Sequence, residues 1–154
     1  MPCILRFLGD HLDVTSLHAT SPIEPCHYYR KGDPVSNRPN ARTCITSGVH
    51  IVASSADFSD PWAQHDETLA FCRLHHSTLL EMRNAPGVER LQVDYGIEMR
   101  NDLLQEDSFS EELLQELASL RAYLTLSQYP PMARHTRAGK YRRIHRGRPW
   151  ARSR

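Results

Sequence analysis

Between residues 91 and 99 the side chains alternate without a slip. Leu91, Val93, Tyr95, Ile97 and Met99 are apolar, and Gln92, Asp94, Gly96 and Glu98 separate them. A period of two marks a strand with one buried and one wet face. Such a strand needs neighbours to pair its backbone and a second layer to cover its apolar face. The rest of the chain is expected to supply both.

The longest helix is expected from about Pro61 to Arg83, because Asp60 is a good N-cap and Pro61 suits the first helical position. At 100° per residue Leu69, Phe71, Cys72, His75, His76, Leu79 and Met82 share one side, with Asp66, Glu67, Arg73, Ser77 and Glu81 opposite. Ser108 followed by Glu111 reads as a capping box. The helix it opens would pack through Leu113, Leu114, Leu117 and Leu120. Cys3 to Leu8, closed by Gly9, suits a buried strand, and Asp13 offers a cap to a short helix over Val14 to His18. Further strands are expected at His27 to Tyr29, Val49 to Ala53 and Tyr123 to Ser127, with a long loop from Gly32 to Gly48. The order is β-α-β-β-α-β-α-β. The fold class it implies is α+β, a mostly antiparallel sheet with two main helices on one face. Leu5, Phe7, Leu69, Leu79, Leu91, Val93, Tyr95, Ile97, Leu113, Leu117, Leu124 and Leu126 are the expected core.

A chain of 154 residues fits one domain, and 40% apolar against 24% charged residues is an ordinary globular balance. Pro130-Pro131 is expected to end that domain, leaving residues 132–154 as a solvated basic tail. Residues 133–154 hold nine Arg or Lys and no acid; of 19 basic and 18 acidic residues this leaves 10 against 18 in residues 1–132, a net −8. An acidic body joined to a basic segment behaves as two objects. No run is long and apolar enough for a membrane span, and Met1 to Gly9 lacks the basic lead of a signal peptide, so a cytoplasmic protein is expected. Cys3, Cys26, Cys44 and Cys72 form no Cys-x-x-Cys pair and are expected as reduced thiols.

Leu12-Asp13-Val14-Thr15-Ser16-Leu17, then Ser21-Pro22, then Tyr29-Arg30-Lys31-Gly32-Asp33-Pro34 resemble the opening of a family of uncharacterised bacterial proteins. That family carries an acidic-x-I-T-x-x-L-G-x-x-P stretch, an R-K-G-D stretch and then a Trp-bearing strand. Ala19 stands here in place of the family's glycine, and Val49-His50 near its tryptophan. The resemblance implies the α+β fold and a bacterial origin. Being a domain of unknown function, the family passes on no catalytic residues.

His65, Cys72, His75 and His76 could ligate zinc, completed by Cys26, His27, Cys44 or His50, but their spacing matches no zinc pattern. No metal or other cofactor is expected. Neither a phosphate loop nor a Gly-x-Ser-x-Gly or His-Glu-x-x-His motif occurs, so the chain is not expected to be an enzyme. Asp94 and Glu98, on the wet face of their strand, are expected to be solvated. The candidate binding residues are His27, Tyr29, Arg30, Lys31 and Asp33, with Arg38 and Arg42 from the long loop. Together they could hold an anionic ligand or a partner's acidic side chains. The leading expectation is a protein-interaction module, similar in size and charge to immunity proteins. One rival is a protein that binds nucleic acid weakly and without sequence preference through its basic tail. Another is a small enzyme or metal-binding domain using the Cys/His helix.

Overall fold

The computed structural model describes residues 3–100 and 103–130. In chain order the elements are β1 (Cys3–Gly9), α1 (Val14–Thr20), β2 (His27–Tyr29), β3 (Ser47–Ser54), α2 (Pro61–Leu74), α3 (His76–Arg83), β4 (Arg90–Glu98), α4 (Glu111–Ser119) and β5 (Ala122–Tyr129). The strands form one sheet in the order β2-β3-β1-β4-β5. Among the described residues only the β4–β5 pair is parallel; the other three pairs are antiparallel. The expected α+β class is the one observed.

The helices lie on one face of the sheet. Leu5 and Phe7 of β1, Val49 and Ile51 of β3, and Leu91, Val93 and Tyr95 of β4 meet Val14, Leu17, Cys72, Leu79, Met82, Leu113 and Leu117 in a single apolar core. Burying each large apolar side chain contributes about 1.5–3 kcal/mol. The side chains between them, Ile4, Arg6, His50, Val52 and Gln92, are partly exposed on the other face. No helix among the described residues covers that face.

Local chemistry sets the ends of the elements. The Asp13 carboxylate accepts from the Thr15 and Ser16 N–H groups, and Asp60 from Ala63, so both expected caps form. At α4 the cap is Ser110 rather than Ser108: Ser110 Oγ accepts the Leu113 N–H at 3.2 Å. The helix expected over 61–83 is two helices, α2 and α3, broken at His75 (φ −108°, ψ 15°). The His75 ring lies 4.6 Å from Phe71, and His76 Nδ1 is 2.6 Å from Glu116 Oε1 of α4. The break lets His76 meet α4 while Leu79 and Met82 stay in the core.

Four further expectations are corrected. Asp94 is 4% exposed rather than solvated, because Arg6 pairs with one carboxylate oxygen and Ser127 Oγ donates to the other at 2.6 Å. Met99 lies beyond β4 and is exposed, while Leu69 and Leu124 only border the core. Leu126 on the edge strand and Leu114 on α4 are 46% and 47% exposed. Gln64, His65 and Thr68 of α2 are buried instead, and the Gln64 amide donates to the Gly96 and Asp57 carbonyls. The basic residues 133–154 lie outside the described residues.

Candidate functional site

The short strand β2 pairs with the middle of β3, placing His27 opposite His50 and Tyr29 opposite Gly48. Gly48 has a local reason: a Cβ there would lie 2.7 Å from the Tyr29 ring and 3.0 Å from Leu8, so only glycine lets the ring lie down on the sheet. After Tyr29 the chain folds into a flap. Gly32 N–H donates to the Cys44 carbonyl at 2.9 Å, Cys44 N–H to Asp33 at 2.8 Å and Val35 N–H to Arg42 at 2.8 Å, with a bridge between Pro34 and Thr43. Between flap and sheet lies an open cleft of about 830 Å³, lined by His27, Tyr29, Asp33, Cys44, Thr46 and His50. Exposed Tyr28, Val35 and Ile45 also border it.

The cleft is an imidazole and phenol surface. The His27 and His50 rings are 5.7 Å apart, and Tyr29 meets His50 edge-on at 5.3 Å. Burial, reinforced by the Arg6 guanidinium and by His27, pushes the His50 imidazolium down to about 4, so this ring is neutral at pH 7. Its buried Nε2 has no hydrogen-bond partner among the described residues. Burial also raises the Tyr29 phenol above its ordinary value.

Of the seven residues expected in the site, His27, Tyr29 and Asp33 line the cleft. The two adjacent cations do not. Arg30 Nη2 donates to Thr15 Oγ1 and Lys31 Nζ pairs with Asp10, each at 2.7 Å, so both side chains tie the flap to the α1 end of the sheet. Lys31 in turn holds the Asp10 carboxyl below the usual carboxylate range. Arg38 and Arg42 are exposed, and neither lines the cleft. Asp33 accepts the Arg30 N–H at 2.7 Å and shapes the turn. As a site residue His50 is expected from the sequence only in the role of a further zinc ligand, not as part of a binding site. Strand alternation over 49–53, which sets His50 opposite in facing to Val49 and Ile51, is the signal that would have found it.

On the uncovered face the strand registers align His27, His50, Arg6, Gln92 and Tyr123 in one row across all five strands. Arg6 and Asp94 neutralise each other at its centre. The cleft opens onto one end of this row.

A second constellation has the hydrogen bonds of a catalytic triad. His65 Nδ1 is 2.9 Å from Asp66 Oδ1, and His65 Nε2 is 2.9 Å from Ser110 Oγ. Its chemistry is that of a helix cap. Ser110 Oγ already accepts the Leu113 N–H, and the Ser110 N–H also points at His65 Nε2 at 3.3 Å. At the helix terminus, where an oxyanion would need donors, the Glu112 carboxyl is held low by its own backbone N–H and by Ser110. A carboxylate in that place opposes the negative charge of acyl transfer.

The candidate zinc ligands disperse. His65 faces Ser110, the His75 ring packs tilted against Phe71, His76 bonds Glu116, and Cys72 is buried in the core. Among the described residues no three His, Cys, Asp or Glu side chains converge on a metal position. Burial drives the Cys3 and Cys72 thiols up to about 12, which keeps both protonated and unreactive. No helix among the described residues is long and apolar enough to cross a membrane. Compared with protein-family models, with curated proteins and with solved structures, the chain matches none.

Proposed function

We propose that this chain is a non-enzymatic binding module of a bacterial cytoplasm that engages another protein through the cleft at the β2 edge. The observation that carries the reading is the make-up of that cleft: rings of His27, Tyr29 and His50 on the floor, and Tyr28, Val35 and Ile45 at the border. Tyrosine and exposed aliphatic side chains around a recess are the composition of interface centres, where a few packed anchors dominate affinity. The neutral His50 ring, with Nε2 unpartnered, suits a donor from the partner rather than an anion. Arg30 and Lys31, already engaged, leave the cleft without the cationic cluster an anionic ligand would need. A small acidic body of this kind is comparable with immunity proteins by analogy of size and charge.

The test is affinity capture of a bacterial partner by the full chain and by Ile45→Asp. Ile45 is 82% exposed, so the change leaves the core alone. A partner held by the parent and released by Ile45→Asp supports the reading; a partner held equally by both overturns it.

A second reading, nucleic-acid association, draws on the uncovered sheet face. Arg6, Arg90 and Tyr123 lie there, and the central acid, Asp94, is already paired. The nine basic residues of 133–154 add phosphate-neutralising charge. With about six phosphate contacts, binding would fall about 10³-fold between 50 and 200 mM salt. Protein capture through the cleft would be far less salt-sensitive.

A further inference from the structure

The two edges of the sheet are built differently. β2 is three residues long, begins two residues after Pro25 and runs into Arg30 and Lys31, all devices that discourage strand pairing. β5 has eight residues, Ala-Tyr-Leu-Thr-Leu-Ser-Gln-Tyr, with no charge and no proline. It pairs with β4 from Leu91↔Ala122 to Glu98↔Tyr129 without a bulge. At about 3.3 Å per residue that is a straight neutral edge of about 26 Å.

Among the described residues no strand pairs with the outer side of β5. The Tyr129 carbonyl accepts the Met99 N–H, so it faces inward. Because successive peptide groups of a strand point to opposite sides, Tyr123, Thr125 and Ser127 also face β4, and Leu124, Leu126 and Gln128 present N–H and C=O groups outward. The side chains match. Leu126 is about half exposed on the helix side of the edge. Leu114 is about half exposed on α4, which packs beside β5; helical rotation places it on the flank away from Glu116 and His76. Tyr123 is exposed on the opposite side of the strand.

We propose that β5 pairs antiparallel with β5 of a second copy of this chain, joining two five-stranded sheets into one of ten. A strand with no charges is self-complementary: the two-fold axis of such a pair sets neutral residues against neutral residues along its whole length. Antiparallel pairing also sends the two chains away from β5 at opposite ends. The strip is narrow, one strand plus one helix flank, so the dimer belongs to the small, reversible class with a Kd on the order of 10 µM. The cleft is at the far edge and stays open in the dimer, so the inference stands independently of the proposed partner site.

The test is sedimentation or light scattering of the full chain from about 1 to 200 µM. The expected result is a mass rising from one chain to two. Leu126→Lys puts a charge on the edge, and Gln128→Pro removes an outward N–H while leaving the β4 ladder intact. Each should weaken association at least tenfold, with the melting temperature checked to show that the monomer still folds. Leu74→Lys, at an exposed position on α2, should dimerise like the parent. A parent that stays monomeric at 200 µM, or folded Leu126→Lys and Gln128→Pro variants that associate as tightly as the parent, would overturn the proposal.

Discussion

Acidification should destabilise this protein through His50, and the size of the effect can be worked from its surroundings. The imidazolium is disfavoured in the folded state first by burial, then by the Arg6 guanidinium and by His27, with Asp94 opposing. Its value falls from 6.5 to about 4. A depressed value contributes stability that is present above 6.5 and is lost as pH falls to about 4, because only the unfolded chain takes the proton in that window. The difference of about 2.5 units at 1.36 kcal/mol each sets an upper bound near 3 kcal/mol. His50 is part-exposed, and solvent screening reduces this to about 1.5 kcal/mol. For a chain of this size that corresponds to about 3–6 °C in melting temperature. The assay compares urea unfolding of the parent and His50→Asn at pH 7.5 and pH 4. Carboxylates titrating in the same range affect both proteins and cancel in the difference. The parent should lose about 1.5 kcal/mol more than His50→Asn between the two pH values. Parallel losses would refute the reasoning and place the His50 ring in a solvated position.

Val93 is fully buried in the central sheet, so Val93→Asp should abolish cooperative unfolding, measured by circular dichroism; a parent-like melt would invalidate the strand assignment. A Cβ on Gly9 would lie 1.8 Å from the Gly87 carbonyl oxygen, whereas Gly9 sits in β1 with no room for that backbone to retreat. Gly9→Ala should therefore cost more than about 3 kcal/mol in urea unfolding. Arg121 joins α4 to β5 at φ 53°, and Arg121→Gly should raise stability by about 0.5–1 kcal/mol in the same assay. Truncation after Met132 should leave the melting temperature unchanged, because the described core ends at Leu124, and should abolish retention on immobilised nucleic acid.

Periodicity carried most of the fold. The alternation of Leu91 to Ile97 specified a strand and its core face, though Asp94 and Gly96 between them are buried as well; the caps Asp13 and Asp60 placed two helix starts, and His27 to Tyr29 was legible between two prolines and a loop. These signals are local: each depends on residues within one or two turns of one another. The candidate site was half legible for the same reason. Its segment, His27 to Asp33, stands out in sequence, but adjacency there brought Arg30 and Lys31 into a site that their side chains leave. Successive residues on a strand face opposite ways, and where each cation goes depends on Thr15 and Asp10, 15 and 21 positions away along the chain. Tertiary packing alone decided three further things. It set His50 beside His27 through a strand register; it buried Asp94 by bringing Arg6 and Ser127 to it from neighbouring strands; and it broke the 61–83 helix at His75 so that His76 could reach Glu116. Each is a pairing across the sheet or between helices. Its energy comes from partners distant in sequence, so no local pattern could announce it.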